Sequence, residues 1–234
     1  MRPNYIIGLD LAQSADYTGL VTLQRHETVD GPARYDAIVL ERWRGLSYMA
    51  VPARVRQAER ALQIAARDQR FVRTGRDCAL WDACDITLVV DASGVGAAVI
   101  DVLADAGLSP VPIIITGGFT VHPRDEGGYT VPKANLVAVV EVMLQGRRLQ
   151  IADDLPHAHT LVSELRNFRY DHTASGRLRY GAGPTGGEDI SWRGDGSHDD
   201  LLLATALAAW YGETHIPPGL DVALSGAFLD LPPW

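Results

Sequence analysis

Apolar residues in this chain change their spacing several times, and each change marks an element. "YIIGLDLA" (5–12) is a continuous apolar run closing on small residues, the pattern of a buried strand. "GLVTLQR" (19–25) and "YDAIVLERW" (35–43) alternate with period two, so they read as its antiparallel neighbours, with "VDGPA" as the intervening turn. After Pro52 the period lengthens: Val55, Ala58, Ala61, Leu62 and Ala65 fall on one side of an amphipathic helix. "DITLVVDASGVG" (85–96) is a strand running into a glycine-bearing turn, "AAVIDVLADAG" (97–107) a helix, and "VPIIIT" (111–116) another strand. Helices follow in "VPKANLVAVVEVMLQGR" (131–147) and "LPHAHTLVSELRNF" (155–168). Strands first, then alternating strand and helix, define an α/β protein. The expected architecture is a mixed sheet, antiparallel in its first three strands and parallel afterwards, flanked by helices.

Two segments depart from this rhythm. Residues 171–196 hold seven glycines among short polar and aromatic alternations, and are expected to form a mobile hairpin or loop. Then "SHDDLLLATALAAW" (197–210) starts with two acids and continues apolar on every side, which sends this last helix into a core. Two Pro-Pro pairs in 215–234 argue for an extended tail, giving one domain over 1–215 and a tail over 216–234.

Composition narrows the class. A hydrophobic fraction of 47% supports a real core, and the longest apolar stretch, Leu201 to Tyr211, is too short to span a bilayer. Asp10 within the first ten residues makes a poor signal-peptide core, so a soluble, cytoplasmic protein with no membrane partner is expected. Cys78 and Cys84 lack the spacing of a zinc site or a disulfide framework. Net charge is −8, and Lys133 is the only lysine, so the positive charge is nearly all arginine. Arg54, Arg56, Arg60, Arg67, Arg70, Arg73 and Arg76 crowd one segment, which reads first as a solvated helix face.

Candidate chemistry lies in the aspartates. Asp10 ends the first strand and Asp91 the fourth, and sites in such sheets form beyond the carboxyl ends of strands. The last helix would carry Asp199 or Asp200 to the same edge. Each acid has a plainer reading: Asp10 as a turn residue, Asp91 as a helix cap, Asp199 and Asp200 as first-turn acids behind a Ser197 cap. If they converge, several carboxylates require cations, and Mg²⁺ or Mn²⁺ suits an all-oxygen donor set. Two such ions about 3.5–4 Å apart activate water for in-line attack on phosphorus.

Four segments, "GLDLAQSADYTGLVTL", "VVDASGVGAAVIDVL", "VPKANLVAVVEVMLQGRRLQIADDLPHAHTLVSELRNF" and "SHDDLLLATALAAW", occur in an order that resembles the nuclease domain of phage large terminase subunits. The resemblance covers most of residues 5–212. It implies a ribonuclease H-like fold and an endonuclease that cuts concatemeric viral DNA during genome packaging, with two divalent metal ions as cofactors. It makes Asp10, Asp91 and Asp200 the metal ligands and catalytic residues, with Asp199 a further ligand or a partner to one. Asp16, His198 and Lys133 are secondary candidates, for orienting the site or touching a phosphate. In the glycine-rich segment Arg177, Arg179 and Arg193 are candidates for contacting double-stranded DNA. Lys133 follows Pro132 rather than a glycine-rich phosphate loop, so no ATPase motif is present. The expectation is therefore an isolated nuclease domain, or one working with a terminase motor, small subunit or portal on other chains. An acidic nuclease is expected to hold DNA weakly alone. Alternatives are a Holliday-junction resolvase or transposase-like nuclease of the same fold, an actin-like or sugar-kinase ATP-binding domain, and a non-catalytic packaging interaction module.

Overall fold

The computed structural model describes residues 2–11, 16–94, 96–172, 178–182 and 198–217. Strands β1 (Asn4–Asp10), β2 (Tyr17–Thr28) and β3 (Gly31–Arg44) form the antiparallel start. A long helix α1 (Val51–Thr74) returns across one face to β4 (Asp85–Asp91), which lies parallel to β1. Helix α2 (Gly96–Asp105), β5 (Pro110–Thr116), β6 (His122–Pro123), β7 (Tyr129–Pro132), α3 (Lys133–Gln145), β8 (Leu149–Ile151) and α4 (Ala158–Asn167) follow. A hairpin of β9 (Phe168–His172) and β10 (Leu178–Ala182) precedes α5 (Asp200–Thr214). The eight-stranded sheet has the order β6-β7-β5-β4-β1-β2-β3-β8. It is the mixed sheet expected, antiparallel through β1–β3 and parallel through β1, β4, β5 and β7.

Period-two alternation sorts side chains onto the two faces. Tyr5, Ile7 and Leu9 of β1 and Leu88 and Val90 of β4 pack with Val51, Val55, Leu62, Val99 and Leu103 of α1 and α2. Ile6 and Val89 belong to the opposite core, against α3, α4 and α5. By the same parity Asp10 and Asp91, in adjacent strands whose register pairs Leu9 with Val90, belong to the α5 face. Helix α5 is buried all round, as its sequence predicts, and Leu201, Leu202 and Leu207 each contribute roughly 1.5–3 kcal/mol through burial. It lies close to the sheet because two glycines make room. A Cβ on Gly8 would fall on the Ala204 carbonyl oxygen, and one on Gly19 would stand 2.6 Å from the Asp200 carbonyl oxygen.

Some boundaries differ from the sequence pattern, for local reasons. Residues 129–132, expected in part to open a helix, form β7 beside β5, because Pro132 biases Val131 toward extended backbone. Helix α1 begins two residues earlier than its apolar spacing indicates, with Pro52 in its first turn, and stops at Gly75, whose φ of 65° gives a left-handed cap donating to the Phe71 carbonyl 2.7 Å away. Gly31 and Pro32, read as turn residues, already belong to β3. Phe168, read as the end of a helix, starts β9. Strands β9 and β10 pair as a hairpin that begins at Phe168, ahead of the glycine-rich segment. Of the 171–196 segment expected to be a mobile hairpin or loop, residues 173–177 and 183–196 lie outside the described residues, as do Ser197 and the tail from 218. Among the described residues no helix is long and apolar enough to cross a membrane. Cys78 and Cys84 are free thiols.

Candidate metal centre

Asp10 and Asp91 end neighbouring parallel strands, and α5 delivers Asp199 and Asp200 to the same edge, above Gly19. Burial pushes Asp10 well above the usual carboxylate range, and Asp91, Asp199 and Asp200 push it further, while Lys133 partly offsets them. Burial also raises Asp91, opposed by Ser93, which donates both its backbone N–H (2.8 Å) and its hydroxyl (2.5 Å) to Asp91 Oδ1. The Ser93 Oγ in turn accepts the Ile115 N–H at 2.6 Å, tying the Asp91 turn to β5.

The helix acids have cationic partners. Lys133, only 2% exposed at the start of α3, places its Nζ 2.9 Å from Asp199 Oδ2. Lys133 is therefore not an exposed surface lysine: its burial without a counter-charge would be costly, and Asp199 supplies one. Arg42 of β3 donates Nε and Nη2 to the two oxygens of Asp200, each at 2.8 Å. Burial nevertheless raises Asp200, against the pull of Arg42. Nearby, Asp16 Oδ1 accepts the Tyr17 N–H at 3.0 Å and lies 2.8 Å from His198 Nδ1. Tyr17 meets the His198 ring edge-on, centroids 4.9 Å apart. All the described candidates except the arginines therefore gather at one edge. Arg177 and Arg193 lie outside the described residues, and Arg179 is placed by its backbone alone, opposite Asp171 in the hairpin.

Arg42 and Glu164 were not legible as site residues. Glu164 of α4 is 7% exposed, accepts the Leu202 N–H at 2.8 Å through Oε2, and stands 3.9 Å from Arg42 through Oε1. Its carboxyl is pushed up to about 8, by burial first and Asp200 second. The available signal was its helical spacing from the buried Ala158 and Leu161, which sets an acid on an apolar face. The Leu202 N–H belongs to the first turn of α5, where backbone donors lack helical partners, so an acid from another helix closes that turn.

Five carboxyl groups (Asp10, Asp91, Glu164, Asp199 and Asp200) thus face Lys133 and Arg42 at a largely buried edge. Hard oxygen donors with excess negative charge suit a divalent cation. Among the described residues no three histidine, cysteine or acidic side chains are drawn together tightly enough to enclose one ion. The ion pairs nevertheless leave acceptor capacity. An ionised carboxylate has about four lone-pair sites, of which the Arg42 fork takes two on Asp200 and Lys133 one on Asp199.

The same fold occurs in known structures. The large terminase nuclease from thermophilic phage G20c, in a crystal structure with bound magnesium, superposes with a TM-score of 0.55 at 22% identity, covering 88% of this chain and 80% of that one. The large terminase of bacteriophage HK97 superposes with a TM-score of 0.51 at 14% identity, covering 90% of this chain and 40% of that one. No protein-family model matches the chain, and no curated protein matches it. The architecture is the ribonuclease H-like one of the terminase nucleases.

Proposed function

We propose that this chain is a metal-dependent DNA endonuclease of the large-terminase type, cutting concatemeric viral DNA during genome packaging. One observation carries this reading: the ends of β1 and β4 and the start of α5 bring Asp10, Asp91, Asp199 and Asp200 to one edge, where burial first and the neighbouring carboxylates second raise Asp10. Asp10, Asp91 and Asp200 are the ligands in this reading, with Asp199 a fourth or a supporting acid. Two Mg²⁺ or Mn²⁺ ions held there would supply an activated water and charge stabilisation for in-line phosphodiester hydrolysis.

The chain's own groups have separable tasks. Ser93 fixes Asp91 through two donated hydrogen bonds. Asp16 orients His198, whose other ring nitrogen remains for a scissile phosphate or a water. Lys133, the counter-charge of Asp199, would meet a phosphate brought to the same edge. Arg177, Arg179 and Arg193 would hold the duplex backbone, with terminase motor, small subunit or portal as partners on other chains.

Plasmid cleavage in Mn²⁺, Mg²⁺, Ca²⁺ or EDTA, with wild type beside Asp91→Ala, tests the proposal. Cleavage is expected in Mn²⁺ or Mg²⁺ and lost with EDTA and in the variant. Equal cleavage by Asp91→Ala would remove the assigned site, and preference for four-way junctions over linear duplex would point to a resolvase.

A further inference from the structure

Arg42 reaches Asp200 from β3 across a gap of 158 residues in sequence, through a two-point fork with both bonds at 2.8 Å. The guanidinium is itself held from three sides. It lies over the Tyr17 ring of β2, 3.9 Å from the centroid. Its Nη2 faces the buried Oε1 of Glu164, an atom with no hydrogen-bond partner of its own, at 3.9 Å. The other oxygen of Glu164 takes the Leu202 N–H, so the acid that faces Arg42 also closes the turn of α5 that carries Asp200. Strands β2 and β3 and helix α4 therefore act together on one carboxylate.

We propose that Arg42 is a positioning residue, holding the Asp200 carboxylate in the orientation in which it serves with Asp10 as a metal ligand. The proposal rests on the metal reading above. Two roles for this arginine predict opposite signs. A mere counter-charge competes with a cation for Asp200, so neutralising it tightens metal binding. A positioning residue pre-orients the ligand and leaves two acceptor sites on Asp200 open, so losing its fork weakens metal binding.

Calorimetric Mn²⁺ titration of the full chain, alongside thermal melting without metal, separates these roles in Arg42→Lys and Arg42→Gln. The lysine variant keeps the charge and loses the planar fork. Its affinity for Mn²⁺ is expected to fall by about 10-fold or more, the usual cost of losing an outer partner. Its metal-free melting temperature is expected to stay near wild type, a split that a merely structural role would not produce. Arg42→Gln is expected to bind more weakly as well, and where it does not fold the lysine variant decides. Unchanged affinity in Arg42→Lys, or tighter binding in Arg42→Gln, overturns the positioning role and leaves the metal site standing. A wild type that binds no Mn²⁺ overturns the metal reading and this role with it.

Discussion

Glu164 shows how a single side chain can make the site respond to pH. Arg42 commits its fork to Asp200, so Glu164 is left with a cation at 3.9 Å and a buried, unpartnered oxygen. Its carboxyl consequently holds its proton to about 8, against an ordinary 4.5. A carboxyl raised in the folded state binds more protons there than in the unfolded chain. Its contribution to stability is therefore complete below about 4.5 and is lost as pH rises through about 8. Burial shifts Asp10, Asp91 and Asp200 in the same direction, so they reinforce the trend. Urea unfolding of metal-free protein at several pH values should show stability falling between pH 5 and 8. Glu164→Gln should flatten that slope while preserving an acceptor for the Leu202 N–H; an unchanged slope would mean that Glu164 is ionised throughout. Both Glu164 and Arg42 escape a reading of the sequence because their meaning is non-local. Arg42 is one polar position on an alternating strand, and its partner lies on the last helix. Asp10 and Asp91 are legible because a strand end states its own position.

At the scale of elements, the placement of α5 decides whether the acids meet. The unbroken apolar run after Asp200 showed that this helix is buried, but only the fold reveals why it comes so near the sheet. Gly19 faces the Asp200 carbonyl oxygen, and Gly8 faces the backbone at Ala204. Gly19→Ala places a methyl group 2.6 Å from that oxygen, forcing the start of α5 away from β2. A cost of roughly 1–3 kcal/mol is expected, typical of overpacking. Mn²⁺ affinity should fall with it, because Asp200 moves with the helix; urea unfolding and calorimetry measure the two effects. Full stability in this variant would show that α5 shifts freely, and would weaken the case that glycine sets the ligand position. The long strands and helices were legible from spacing, whereas β6, β7 and β8, of two to four residues each, are too short to show a period. The β9–β10 hairpin offers a separate test. Replacing residues 173–177 with a shorter glycine linker is expected to reduce plasmid cleavage and leave the melting temperature unchanged. Undiminished cleavage would remove the segment from substrate binding.

Across the whole molecule, charge sets the terms on which DNA can approach. The chain carries −8 overall, and its acids include the group that forms the candidate centre. Divalent cations would neutralise part of that edge, so metal and duplex should bind with mutual support rather than independently. The arginines of α1 do not change this balance near the acids, since α1 packs on the sheet face opposite α5. Phosphate neutralisation supplies most non-specific affinity, and here 29 acidic residues outnumber 21 basic ones, so the chain as a whole repels a polyanion. The isolated chain should therefore bind a linear duplex no more tightly than about 10⁻⁶ M at physiological salt, the tight limit of ordinary non-specific binding. Fluorescence anisotropy with a labelled duplex tests this in Ca²⁺ and in EDTA, over a salt series. Binding should strengthen in Ca²⁺ and as salt is lowered, and Asp91→Ala should lose the Ca²⁺ effect while keeping the salt effect. Tight binding in EDTA at physiological salt would mean that the acidic surface hides a complete DNA site. The proposed reliance on a motor, small subunit or portal to hold the substrate would then fall. Weak binding that Ca²⁺ strengthens would instead make the metal site part of the DNA site, and would leave the timing of cleavage to whatever partner brings the duplex to this edge.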